Sequence, residues 1–138
     1  MKTAIATAAA RSANEDRATV LVAAHSVVIA LADGAGGLGN GARAAQAWID
    51  AVTANPANAA WSAVLEELDM DPAKRGPGQT TAIAIEVRAD SLAGVCVGDS
   101  AVWLVTADHE VIDLAEHVPP KPLVGDGCMV YELSLIHI

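Results

Sequence analysis

The chain has 138 residues, 53% of them apolar and 18% charged, and carries a formal charge of −9. That length suits one domain with a real core and is short for two. The acidic balance argues against nucleic-acid binding, which calls for clustered Lys and Arg, and no apolar run reaches the length of a membrane span. The apolar share is mostly Ala and Val, with no Phe and one Tyr, so the expected core is built of small residues in tight layers. Cys96 and Cys128 form no CxxC pair, and Cys96 reads as a small buried hydrophobe. The expected compartment is the cytoplasm.

Met1-Lys2 followed by Thr3–Ala10 has a faint likeness to a signal peptide. Its apolar part is short, broken by Thr7 and followed directly by Arg11, so the stretch is read as a first strand. Arg11 to Arg17 is a polar loop containing Asn14-Glu15-Asp16. Two β-branched runs, Thr19–Ala23 and Val27–Ala32, flank His25-Ser26 and predict a tight hairpin. Antiparallel pairing would then return Glu15-Asp16 to the side of Asp33.

The second run delivers Asp33 into a loop with five glycines among residues 34–41. Glycines at that density allow positive φ and close backbone approach. A carboxylate placed there is either a metal or proton site, or a helix cap. Ala45, Trp48, Ile49 and Val52 then recur at helical spacing and predict an amphipathic helix from about Gly41 to Ala54. Asn55-Pro56 is read as the cap and first-turn proline of a second helix carrying Trp61, Val64, Leu65 and Leu68. The tryptophans are core anchors on this reading. Asp71 to Gly78 is expected to be a loop.

The period then changes to two. Thr80–Val87, Leu92–Val97, Ala101–Thr106 and Val111–Leu114 are predicted strands, with turns at Arg88–Ser91 and Gly98-Asp99-Ser100. Alternation in Ile83, Ile85 and Val87 predicts a half-buried sheet. Strands, two helices and a meander of strands define an α+β fold with antiparallel sheets. Residues 1–127 form the domain segment. Residues 128–138 form an apolar tail, read either as the start of a native strand or as sequence foreign to the domain, and the chain is expected to be incomplete at its C-terminus.

In order along the chain, several motifs resemble those of the metal-dependent PPM-type protein phosphatases (the protein phosphatase 2C group). They are Arg11 with Asn14-Glu15-Asp16; Ala32-Asp33-Gly34-Ala35-Gly36-Gly37; Gly78-Gln79-Thr80-Thr81; Gly98-Asp99-Ser100; and His117 to Gly127, with Lys121-Pro122-Leu123-Val124-Gly125. The resemblance spans roughly residues 3–127, the N-terminal part of such a domain. It implies a four-layer α-β-β-α sandwich and hydrolysis of phosphoserine or phosphothreonine on phosphoprotein substrates. The implied cofactors are two Mn²⁺ or Mg²⁺ ions, with a third, weaker site. Two such ions about 3.5–4 Å apart can lower the pKa of a bridging water for direct attack and clamp the phosphate. Hard cations of this kind take oxygen ligands.

By resemblance, Asp33 bridges the metals, the Gly34 carbonyl binds one of them, and Asp16 or Glu15 acts through bound water. Arg11 holds the substrate phosphate with its planar fork, and Asp99 matches the third metal position. Each residue also has a plainer reading: Asp33 as helix cap, Glu15-Asp16 as a solvated pair, Arg11 as a surface arginine, Asp99 as a turn residue. His25, His109 and His117 lack ligand spacing and take no role. Asp126 follows a Lys-Pro-Leu loop rather than an apolar strand and takes none either. Ala35 stands where some family members have histidine, and the family's two late metal-binding aspartates fall beyond residue 138. The alternative is a catalytically inactive pseudophosphatase or a regulatory phosphoprotein-binding module. A nucleotide-binding reading of the glycine loop would need a Walker lysine and a parallel crossover, and the sequence has neither.

Overall fold

Residues 2–8, 14–35 and 40–136 are described by the computed structural model. Its elements are β1 (Arg17–Val22), β2 (Val27–Ala32), β3 (Gly34–Ala35), α1 (Gly41–Ala54), α2 (Trp61–Met70), α3 (Pro72–Arg75), β4 (Gln79–Thr80), β5 (Ala82–Val87), β6 (Ser91–Val97), β7 (Trp103–Val105), β8 (Val111–Asp113) and β9 (Tyr131–Ile136). The β-branched runs around His25-Ser26 pair as the expected hairpin, Val22 opposite Val27 and Arg17 opposite Ala32. A five-stranded sheet in the order β1-β2-β5-β6-β9 follows, every pair antiparallel. Residues 131–136 of the tail form its edge strand beside β6. The fold is α+β with antiparallel sheets, as expected. No helix among the described residues is long and apolar enough to cross a membrane.

Side chains alternate across a strand, and both faces of the central strands are covered. On one face Val28, Ala30, Ala32, Ala82, Ala84, Val95 and Val97 pack with Trp48, Val52, Trp61 and Leu65 from α1 and α2. Alanines on the strands leave room for the indoles, which are fully buried and bonded: Trp48 Nε1 donates to the Ile83 carbonyl at 3.0 Å, Trp61 Nε1 to the Asn55 carbonyl at 2.9 Å. On the other face Ile83, Ile85, Leu92 and Cys96 gather Val102 and Ala115 into a second cluster. The sheet predicted as half-buried is therefore buried on both sides at β5 and β6. Burial pushes the Cys96 thiol up to about 11, as expected for a packed, unreactive cysteine.

Several expected boundaries are corrected. Residues 2–8 form no strand, and residues 9 and 10 lie outside the described residues. Asn55 closes α1, its backbone N–H and its side-chain amide both bonding the Ala51 carbonyl, and α2 begins only at Trp61 after a short 3₁₀ turn at Asn58–Ala60. The expected 71–78 loop contains the helical turn α3. Asp71 caps it by accepting from Ala73 N–H at 2.8 Å, and Pro72 fits its first position. Thr80–Val87 is not one strand: it breaks at Thr81, so that β4 pairs with β3 while β5 joins the main sheet. The Ala101–Thr106 run is ordered as a strand only over Trp103–Val105, and the last run only over Val111–Asp113.

Asp69 ties the end of α2 to the loop before β9, and Arg75 ties it to residues 76–78. The Asp69 carboxylate accepts from the backbone N–H groups of Gly125 (2.6 Å), Gly127 (3.2 Å) and Cys128 (3.2 Å). The buried Arg75 guanidinium donates to the carbonyls of Leu68, Gly76 and Gly78 at 2.7–2.9 Å. Burial opposes ionisation of Asp69, but the three backbone donors outweigh it and hold the carboxyl below its ordinary value. Asp69→Ala is expected to lower the unfolding free energy by about 1–3 kcal/mol, read from urea melts. Because the folded pKa is depressed, the Asp69 contribution is complete above the unfolded value near about 3.9. It is lost as pH falls through the lower folded value. The stability difference between wild type and Asp69→Ala should therefore close in that acidic window.

Candidate metal centre

The hairpin register decides where the acidic residues meet. With Arg17 opposite Ala32, the residue before β1 and the residue after β2 come side by side, and these are Asp16 and Asp33. The Asp16 loop is shaped by an Asx turn, Asp16 N–H to Asn14 Oδ1 at 2.9 Å. Arg17 holds it: one guanidinium nitrogen bonds the carbonyls of Asn14 (3.0 Å) and Asp16 (2.7 Å), while Nε donates to Gln46 Oε1 on α1 at 3.1 Å.

Asp33 is clamped through its backbone. Its N–H donates to Thr81 Oγ1 at 2.9 Å, and its carbonyl accepts from Thr80 Oγ1 and Thr81 N–H, both at 3.0 Å. The break between β4 and β5 thus meets the break between β2 and β3. Thr81 also stands 2.7 Å from Ser100 Oγ, which ties in the turn after β6. Gly98 makes that turn with φ +87, and a Cβ there would stand 2.9–3.0 Å from Leu123 and Thr81 side-chain atoms. Asp99 follows on the same turn.

The carboxyl of Asp33 lies above its ordinary pKa. Burial contributes most, the facing Asp16 carboxylate next, and the charges of Asp99 and Glu15 add to it. Three acids therefore act on Asp33. Asp16, Arg17, Asp33 and Ser100 border a cleft of about 320 Å³. Oxygen donors concentrated in this way fit a hard divalent cation, which would relieve their mutual repulsion. The set is small, however. Among the described residues no group of three or more His, Cys, Asp or Glu side chains converges closely enough to hold an ion.

Asp33 does not cap α1. Asn40 occupies that position in a left-handed conformation, without a side-chain cap bond. Gly34 lies on β3, directly against the first turn of α1: a Cβ on it would stand 2.4 Å from the Gly41 carbonyl carbon. Arg11, Gly36 and Gly37 lie outside the described residues. The sequence reading passed over Arg17 and gave Thr81 no role. Arg17 directly follows the acidic pair, and Thr80-Thr81 ends a motif already singled out, so both carried a signal.

This architecture is the fold of the PPM-type serine/threonine phosphatases. The solved structures it is similar to include RsbX in complex with magnesium (TM-score 0.72, 16% identity, 94% of this chain and 63% of that one). A bacterial serine phosphatase superposes with TM-score 0.70 at 14% identity over 91% of this chain and 69% of that one. The serine/threonine phosphatase Stp1 from Staphylococcus aureus gives TM-score 0.66 at 16% identity over 94% and 69%. In a mutant form of that bacterial serine phosphatase the chain spans 66% of the length, just under two thirds. No family model matches the sequence, and no curated protein matches it.

Two outcomes follow. Asp33→Asn in metal-free protein is expected to raise the melting temperature. The folded pKa is raised, so ionised Asp33 destabilises the fold above the unfolded value, and the gain should grow as pH rises through the folded value and vanish well below the unfolded one. Gly34→Ala is expected to destabilise by about 1–3 kcal/mol in denaturant melts, because only a shift of α1 relieves the backbone overlap.

Proposed function

We propose that this chain is the N-terminal part of a metal-dependent protein serine/threonine phosphatase. The observation that carries the reading is the meeting of Asp16 and Asp33, with Glu15 and Asp99 in electrostatic reach, at a cleft on this fold. On this reading Asp33 and Asp16 hold the cations, Mn²⁺ or Mg²⁺, with Glu15, the Gly34 carbonyl and Asp99 as further oxygen donors. Bound divalent ions supply an activated water and charge neutralisation for phosphomonoester hydrolysis. The chain's own residues keep the carboxylates in place: Arg17 shapes the Asp16 loop, and Thr80 and Thr81 fix the backbone of Asp33. Arg11 is assigned to the substrate phosphate, and the substrate is a phosphoprotein.

A second reading keeps the fold without turnover, as a pseudophosphatase or phosphoprotein-binding module. It draws support from the absence, among the described residues, of a three-acid cluster able to hold an ion. The two readings separate on p-nitrophenyl phosphate hydrolysis with Mn²⁺. The enzyme reading expects Mn²⁺-stimulated turnover that Asp33→Ala abolishes. Phosphopeptide binding with no such turnover favours the module, and equal rates for wild type and Asp33→Ala remove Asp33 from the mechanism. A metal site also expects Mn²⁺ to raise the melting temperature of wild type and not of Asp33→Ala, since a ligand bound only by the folded state stabilises it.

A further inference from the structure

Thr81 is buried at 3% exposure and lies between β4 and β5. Its hydroxyl oxygen accepts the Asp33 N–H at 2.9 Å and lies 2.7 Å from Ser100 Oγ. An amide can only donate, so the hydroxyl proton of Thr81 has Ser100 Oγ as its acceptor. The opposite orientation would leave a buried hydroxyl proton without a partner. One oxygen atom therefore joins two chain segments: the residue after β2, which is Asp33 of the cleft, and the turn after β6, which carries Asp99 next to Ser100. Ser100 itself borders the cleft beside Asp16 and Asp33.

We propose that Thr81 is a positioning residue whose hydroxyl sets the separation between Asp33 and the Asp99-Ser100 turn, and so the affinity of the cleft for a divalent cation. The affinity clause rests on the metal-centre reading; the geometric clause does not. Valine matches threonine in shape and lacks the hydroxyl, whereas serine keeps it.

The test compares wild type, Thr81→Val, Thr81→Ser and Ser100→Ala by amide hydrogen exchange in metal-free protein and by Mn²⁺ titration of the same chains. Thr81→Val is expected to speed exchange of the Asp33 amide and weaken Mn²⁺ binding by about tenfold, the scale at which groups behind metal ligands act. Thr81→Ser should restore both. Ser100→Ala should weaken Mn²⁺ and speed exchange at Asp99 and Ala101 while the Asp33 amide stays protected. Unchanged Mn²⁺ affinity in Thr81→Val, with binding intact in wild type, overturns the positioning role. If wild type binds no Mn²⁺, the metal-centre reading falls, and Asp33 exchange alone decides: unchanged in Thr81→Val, it overturns the geometric clause as well. If Thr81→Val does not fold, Ser100→Ala decides, and wild-type exchange and affinity there overturn the proposal.

Discussion

Hydrogen bonds between Thr80, Thr81 and the backbone of Asp33 join two breaks in the strands, β2 into β3 and β4 into β5. A strand that ends in an acid needs some way to hold that acid beside its like-charged neighbours. Here the holding is done by the backbone, whose N–H and carbonyl are both satisfied, so the carboxylate remains free to face Asp16. Thr81 stands opposite Asp33 because the β2–β5 and β3–β4 pairings share one register.

The same junction requires unusually close backbone contact. Gly34 lies against Gly41, and Gly78 against the Asn40 carbonyl, at separations that leave no room for a Cβ. These glycines therefore serve helix–strand packing, whatever the Gly34 carbonyl binds. Close approach continues into the core, where Ala30, Ala32, Ala82 and Ala84 form the floor beneath Trp48 and Trp61. Small residues on the strands and two large ones on the helices fill one space, so the helices sit near enough for α1 to seat on β3.

Farther from the cleft, Asp69 does for the 123–128 loop what the threonines do for Asp33. Its carboxylate takes three backbone N–H groups of an irregular segment that has few ladder bonds of its own, while the Arg75 guanidinium takes the carbonyls of Leu68, Asp69, Gly76 and Gly78. That loop in turn meets Thr80 through Val124, which pairs with it by N–H to carbonyl bonds in both directions. The helix end, the loop and the Asp33 clamp are therefore one connected set of hydrogen bonds.

Local pattern alone determined the β1–β2 hairpin, the span of α1, the buried tryptophans and the side-by-side placement of Asp16 and Asp33. Each rests on periodicity or on the antiparallel rule, which act within a few residues or across one tight turn. The start of α2 misled because Asn-Pro favours a helix start in isolation, whereas Asn55 here closes α1 and receives the Trp61 indole. Only tertiary structure decided that Thr81 interrupts its strand, that Gly34 touches α1, and that Asp69 holds a loop more than forty residues away. These depend on contacts between segments distant in the chain, whose partners no local pattern specifies. The acids of the cleft were legible in the sequence because a hairpin brings two of them together; the hydroxyls that hold them were not, because their partners are 48 and 19 residues away.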